Sequence, residues 1–156
     1  MTISKKLSLA FLTIVSSVCL TSCFHGVAYH KYADVDAWNW SNSDTLTFEL
    51  PRTTSSGELM PTVGVRTTNS FPFRMLHLQL VVSCDNEVVA ADTVFVVVYD
   101  NNGQPIGKGF PYTTTLKPLQ PLHVDSGKVY TLCINHVMNE ERVKGVTKVG
   151  IELDMP

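Results

Sequence analysis

Leu76-His77-Leu78-Gln79-Leu80-Val81-Val82-Ser83-Cys84 alternates with period two. Leu76, Leu78, Leu80, Val82 and Cys84 fall on one side of an extended chain, and His77, Gln79 and Ser83 on the other. A helix would need apolar residues at spacings of three and four, so the segment Phe73 to Cys84 is expected to be a half-buried strand. Asp85-Asn86 follows as a turn signal. Val88 to Tyr99 is then the returning strand. Its nearly continuous apolar run Val94-Phe95-Val96-Val97-Val98-Tyr99 has the β-branched density of a central strand covered on both faces.

Outward from this hairpin the same period recurs. Asp100-Asn101-Asn102-Gly103 is a strong turn signal, and Gln104 to Tyr112 is expected to return beside the preceding strand. A proline-rich loop spans Pro118 to Pro121. Lys128 to His136 is a strand, residues 137–144 hold a candidate helical turn, and Gly145 to Leu153 closes the chain with Val149, Ile151 and Leu153 on one face. Toward the N-terminus, Met60 to Thr68 carries Val63 and Val65 on one face. Asp44 to Leu50 places Leu46, Phe48 and Leu50 opposite Thr45, Thr47 and Glu49. Val27 to Tyr32 is a candidate first strand. About eight strands without a long helical period define an all-β chain. The expected architecture is an antiparallel β-sandwich, with a partly open β-barrel as the alternative.

The first 22 residues are of another kind. Lys5 and Lys6 precede the uncharged stretch Leu7 to Leu20. That stretch is shorter than the roughly 20 residues of a membrane span and fits the hydrophobic region of a signal peptide. Leu20-Thr21-Ser22-Cys23 resembles the lipobox of bacterial lipoproteins. The resemblance implies a diacylglycerol on the Cys23 thiol, cleavage between Ser22 and Cys23, and an acyl chain on the new amine. The domains expected are therefore a signal peptide at 1–22, a lipid-anchored tether with the first strand at 23–43, and the sandwich at 44–156.

Composition narrows the function. The chain has 156 residues, of which 12 are basic and 14 acidic. Loss of residues 1–22 removes two lysines and no acid, leaving ten basic residues against fourteen acidic ones. Such a chain has no basic excess for nucleic acid. Cys84 and Cys133 remain after the lipobox. By strand parity Cys84 points to the core and Cys133 away from it, so free thiols are expected over a disulfide. No CxxC pair or Gly-x-Ser-x-Gly elbow occurs. His25, His30, His123 and His136 share no metal-ligand spacing. The residues accordingly imply no catalytic group, no metal and no cofactor beyond the acyl chains on Cys23. His77, Asp85 and Glu87 are read as solvated groups at a hairpin end. Trp38 and Trp40, of one parity in Trp38-Asn39-Trp40, are the candidate binding residues, as an aromatic platform or partner anchor. The preferred reading of the pair is that both cap the sandwich core. The acidic turn Asn139-Glu140-Glu141 is a possible docking point.

Several segments together are similar to the GldH family, the gliding-motility-associated lipoproteins of the Bacteroidetes. They are the lipobox cysteine with Trp38-x-Trp40, Val65-Arg66, Phe71-Pro72-Phe73 leading to Leu76-His77-Leu78, Gly103-Gln104-Pro105-Ile106-Gly107-Lys108-Gly109, Gly127-Lys128-Val129-Tyr130, and Val143 to Ile151. Arg74, His136 and Asn139 depart from the family pattern, His136 replacing a usual glutamine. The resemblance implies a non-enzymatic envelope lipoprotein of the gliding or linked secretion apparatus. Its partners would be the membrane and other envelope proteins. Asp44-Thr45-Leu46 and Asp92-Thr93-Val94 also resemble Bacteroidetes O-glycosylation sites. Phe24-His25-Gly26 after Cys23 has no aspartate and no acidic cluster, which favours the periplasmic leaflet of the outer membrane and leaves the inner membrane open.

Overall fold

The alternating segments become strands in a computed structural model, which describes residues 27–154. In chain order they are β1 (Val27–Asp34), β2 (Trp40–Ser41), β3 (Leu46–Glu49), β4 (Gly57–Thr67), β5 (Met75–Cys84), β6 (Glu87–Val97), β7 (Thr113–Pro118), β8 (Leu122–Val124), β9 (Tyr130–His136), β10 (Arg142–Val143) and β11 (Val146–Asp154). One sheet has the order β1-β11-β4-β7, with β8 paired to the start of β4. The other has the order β3-β9-β5-β6. A short β10-β2 ladder stands apart. Every pairing is antiparallel. Neither main sheet closes on itself, so the chain is a sandwich and not a barrel.

Period two explains what holds the sheets together. Val63 and Val65 of β4 and Val149, Ile151 and Leu153 of β11 are buried with Phe48 of β3, Leu76, Leu78 and Leu80 of β5, and Leu132 and Ile134 of β9. Burying each such side chain contributes about 1.5–3 kcal/mol. The strand from Phe73 and the one to Leu153 thus place their apolar sets inward as the alternation requires. Asp85 and Asn86, with φ of 48° and 71°, form the two-residue β5–β6 turn. That is the backbone tight hairpins require and Asp and Asn tolerate.

Three expectations are corrected. Val94 to Tyr99 does not lie in a central strand: β6 is an edge, paired only to β5. Val94, Val96 and Val98 are buried, but Phe95 is 50% exposed. Alternation within the run, not its apolar density, sets its surroundings. Gln104 to Tyr112 forms no strand. Its contribution is two single bridges, Tyr99↔Pro105 and Lys108↔Thr114, because Pro105 and Pro111 lack N–H donors and Gly107 and Gly109 have no side chain to pack. The next strand, β7, crosses to the other sheet and pairs with β4. Its threonines gave little apolar signal, yet Thr113 and Thr115 are buried. Residues 137–144 hold no helical turn; Arg142 and Val143 pair with Ser41 and Trp40.

Glycines shape the outer face of the first sheet. Tyr32, Gly150 and Gly64 stand opposite one another on β1, β11 and β4, and the Tyr32 ring lies across both glycines. A Cβ at Gly64 would meet the Tyr32 hydroxyl, the far end of a movable side chain. A Cβ at Gly150 would meet the base of that ring and the Lys31 carbonyl, which is backbone. The Tyr32 hydroxyl donates to Glu152 Oε1 at 2.8 Å. Burial, then this hydrogen bond, holds the phenol well above its ordinary pKa. Gly150→Ala is expected to cost about 1–3 kcal/mol, as overpacked sites do. Gly64→Ala should cost less, because the ring can swing away. Urea midpoints of the two variants check the order.

Candidate functional site

Ser22 and Cys23 lie outside the described residues. The described residues start at Val27, four residues after Cys23, and β1 pairs with β11 along its length. The first strand is therefore built into the first sheet.

Trp38 and Trp40 do not share a face. Asp36 turns the chain between them and β1: its Oδ1 accepts from Trp38 N at 2.9 Å and its carbonyl from Asn39 N at 3.1 Å. The backbone is not extended there, so strand parity does not apply. Trp38 is 75% exposed and Trp40 is 1% exposed. The candidate two-indole platform is not formed, and the reading that both cap the core holds for Trp40 alone. Trp38 remains available to a partner, and Trp40 belongs to the core.

Trp40 is held by His136. The rings meet edge-on at 5.0 Å between centroids, and His136 Nε2 lies 3.1 Å from the Trp40 carbonyl. A carbonyl accepts, so Nε2 carries the proton. Nδ1 is buried without a protein partner, as is Trp40 Nε1. A second proton on the ring would have no acceptor, and burial accordingly pushes the His136 pKa below its ordinary value. His136 is thus an internal residue and not a surface for a partner. The unfolded chain takes up this proton near pH 6.5, before the folded one does. Stability should therefore fall as pH drops below about 6.5, until the lower folded pKa is passed. His136→Gln should flatten that part of the curve. Urea midpoints between pH 7.5 and 5 test it.

The polar groups near the β5–β6 hairpin do not converge. His77 packs edge-on against Phe95 at 4.8 Å on the outer face, while Asp85 lies at the far end of β5. Asp85 accepts from Lys128 Nζ at 2.6 Å. This hydrogen bond, with a backbone one from Val129, lowers the carboxyl's pKa. Cys84 and Cys133 are both free and partly buried. Cys84 packs against the core, whereas Cys133 Sγ lies 3.8 Å from Thr47 Oγ1. Among the described residues no group of three His, Cys, Asp or Glu side chains could hold a metal ion. Thr45 and Thr93 are exposed, as are Asn139, Glu140 and Glu141.

The surface that sequence reasoning missed is β6. From Glu87 to Thr93 every residue is exposed, including Val88 at 66% and Val89 at 54%. Beside it an apolar cavity of about 110 Å³ opens between the sheets, lined by Leu50, Leu80, Val82, Val94, Leu122 and Leu132 among others. The available signal was the Asp92-Thr93 pair, polar on both faces in mid-strand.

These features define a β-sandwich whose first strand closely follows a lipobox-like cysteine and whose exposed apolar groups suit contact with other macromolecules. The family model described as GldH lipoprotein matches residues 27–153, and the chain belongs to that family. It is 23% identical over 148 residues to the gliding motility lipoprotein GldH of Flavobacterium johnsoniae, covering 90% of this chain and 92% of the relative. Among solved structures, an α-glucuronidase specific for decorated arabinogalactans aligns over 81% of this chain and 14% of its own, at 18% identity and a TM-score of 0.45. Dimeric latent PorU from Porphyromonas gingivalis aligns over 86% and 14%, at 13% identity and a TM-score of 0.36. A family 35 carbohydrate-binding module from Clostridium thermocellum aligns over 83% and 90%, at 11% identity and a TM-score of 0.43.

Proposed function

We propose that this chain is a non-enzymatic lipoprotein, anchored through acyl chains on Cys23, that serves the gliding machinery or its linked secretion apparatus by protein–protein contact. The family match across the whole sandwich carries this reading. Exposed apolar groups support the contact role: Trp38 on its turn, and Val88, Val89 and Phe95 on β6. The membrane proposed is the outer one, on its periplasmic leaflet, because no aspartate or acidic cluster follows Cys23.

Deletion in the native host should impair gliding or secretion. Reversible crosslinking of intact envelopes followed by purification of the full chain should recover other components of that machinery. Normal motility and secretion in the deletion strain, together with recovery of none of those components, would overturn the reading. A paired-tryptophan sugar platform finds no support, since Trp40 is buried.

A further inference from the structure

The four edges of the two main sheets differ in how they are protected. Edge strands are ordinarily blunted by shortness, charge, lysine or proline, because unpaired N–H and C=O groups recruit other strands. β3 has four residues. β1 carries His30, Lys31 and Asp34. β7 is bridged by Lys108 at Thr114 and ends at Lys117-Pro118. By contrast, β6 runs for eleven residues without a lysine or proline.

The free hydrogen-bonding groups of β6 can be placed. Val98 N donates to the Arg74 carbonyl at 2.9 Å, on the β5 side. Val137 N donates to the His77 carbonyl at 3.0 Å, on the β9 side. Antiparallel pairing alternates, so even-numbered residues of β5 address β6 and odd ones address β9. With Leu78 opposite Val94 and Leu80 opposite Asp92, the even-numbered residues of β6 address β5. Ala91, Thr93 and Phe95 therefore turn their N–H and C=O away from β5, into a cleft whose far side is lined by Lys117 to Gln120; of these groups the Thr93 N–H already donates to Asp92 Oδ1 at 2.7 Å.

The side chains along this edge restrict what can pair with it. Asp92 and Val94 share the inner parity and line the apolar cavity. The charges on β6 are Glu87 and Asp92, both acidic. Two copies of β6 pairing antiparallel in full overlap would set Asp92 against Asp92, which is unfavourable. A strand with a basic residue opposite Asp92 removes the repulsion, and an apolar residue two positions away points into the cavity.

We propose that β6 accepts an extended strand of a partner protein along Ala91–Phe95, with a lysine or arginine opposite Asp92 and an apolar side chain in the cavity beside Leu80 and Val94. This is sheet extension by an added strand, in which main-chain bonds give affinity and alternate side chains give specificity. It rests on the contact role proposed above and names the surface that performs it.

The test places the photocrosslinker benzoylphenylalanine at position 93 of the full chain in the native host. Irradiated envelopes should yield crosslinks that map to one extended segment of another protein, with basic and apolar residues two apart. Ala91→Pro removes an outward N–H and leaves the β5 pairing intact, as prolines on edge strands do. It should lower the crosslink yield at least tenfold with an unchanged thermal transition. Asp92→Lys, which alters no backbone group, should do the same if the proline variant folds poorly. Crosslinks to a second copy, yields insensitive to both variants, no crosslink above background, or a sugar found on Thr93 by intact mass would each overturn the proposal. If machinery components still co-purify with the Ala91→Pro chain, the contact role stands and the β6 assignment falls. If none co-purifies with the wild-type chain, the contact role itself falls.

Discussion

Trp40→Ala is expected to remove about 3–5 kcal/mol of folding stability, the range for deleting a fully buried large aromatic. Trp38→Ala should change it by less than about 0.5 kcal/mol. The two indoles are two positions apart and otherwise alike, so the contrast isolates location. Trp40 is enclosed, pairs with Val143 and closes over His136, while Trp38 stands on a turn in solvent. For a domain whose total stability lies in the usual range of about 5–15 kcal/mol, the Trp40 change approaches unfolding. Trp40→Phe should recover part of the loss by refilling the space. Urea melts of the three variants, with equal slopes, supply the measurement. Similar losses at Trp38 and Trp40 would contradict the buried–exposed division.

Cys23→Ala is expected to abolish lipid attachment outright. Incorporation of labelled palmitate should fall to background, since no other residue of Leu20-Thr21-Ser22-Cys23 offers a thiol. Processing between residues 22 and 23 by the lipoprotein route should also stop, leaving a chain about 22 residues heavier on a gel. Two or more acyl chains, at about 0.8 kcal/mol per buried methylene, make membrane attachment firm. Any mature protein released from the variant should therefore be freed by a salt wash that leaves the wild type in the membrane fraction. Unchanged palmitate labelling would refute the assignment of the anchor.

Much of the sandwich could be read from period two alone. Leu76, Leu78 and Leu80, Val63 and Val65, and Val149, Ile151 and Leu153 all face the core as their parity requires. Alternation failed where the chain was not extended. Asp36 bends the backbone before Trp38, and a parity argument that carried Trp38 and Trp40 to one face had no strand to act on. Periodicity also says which side of a strand is buried but not which strand lies beside it. Val94–Tyr99 reads as central because its residues are apolar. Its place at an edge depends on where β7 and β8 run, and β7 is a threonine-rich segment with little hydrophobic signal. The buried His136 escaped for a related reason: a histidine in an alternating strand gives no sign that a tryptophan nearly one hundred residues earlier will cover it.

The union of β1 with β11 has a mechanical meaning. If the chain is held at Cys23 while a partner pulls on the body, tension enters through β1 and is resisted by the ladder that runs from Val27↔Asp154 to Asp34↔Lys148. Tension directed along β1 shears all its bonds together. Tension directed across the sheet opens them one after another from Val27, at a much lower force. With such an anchor, whether the sandwich survives traction depends on the angle between the pull and β1.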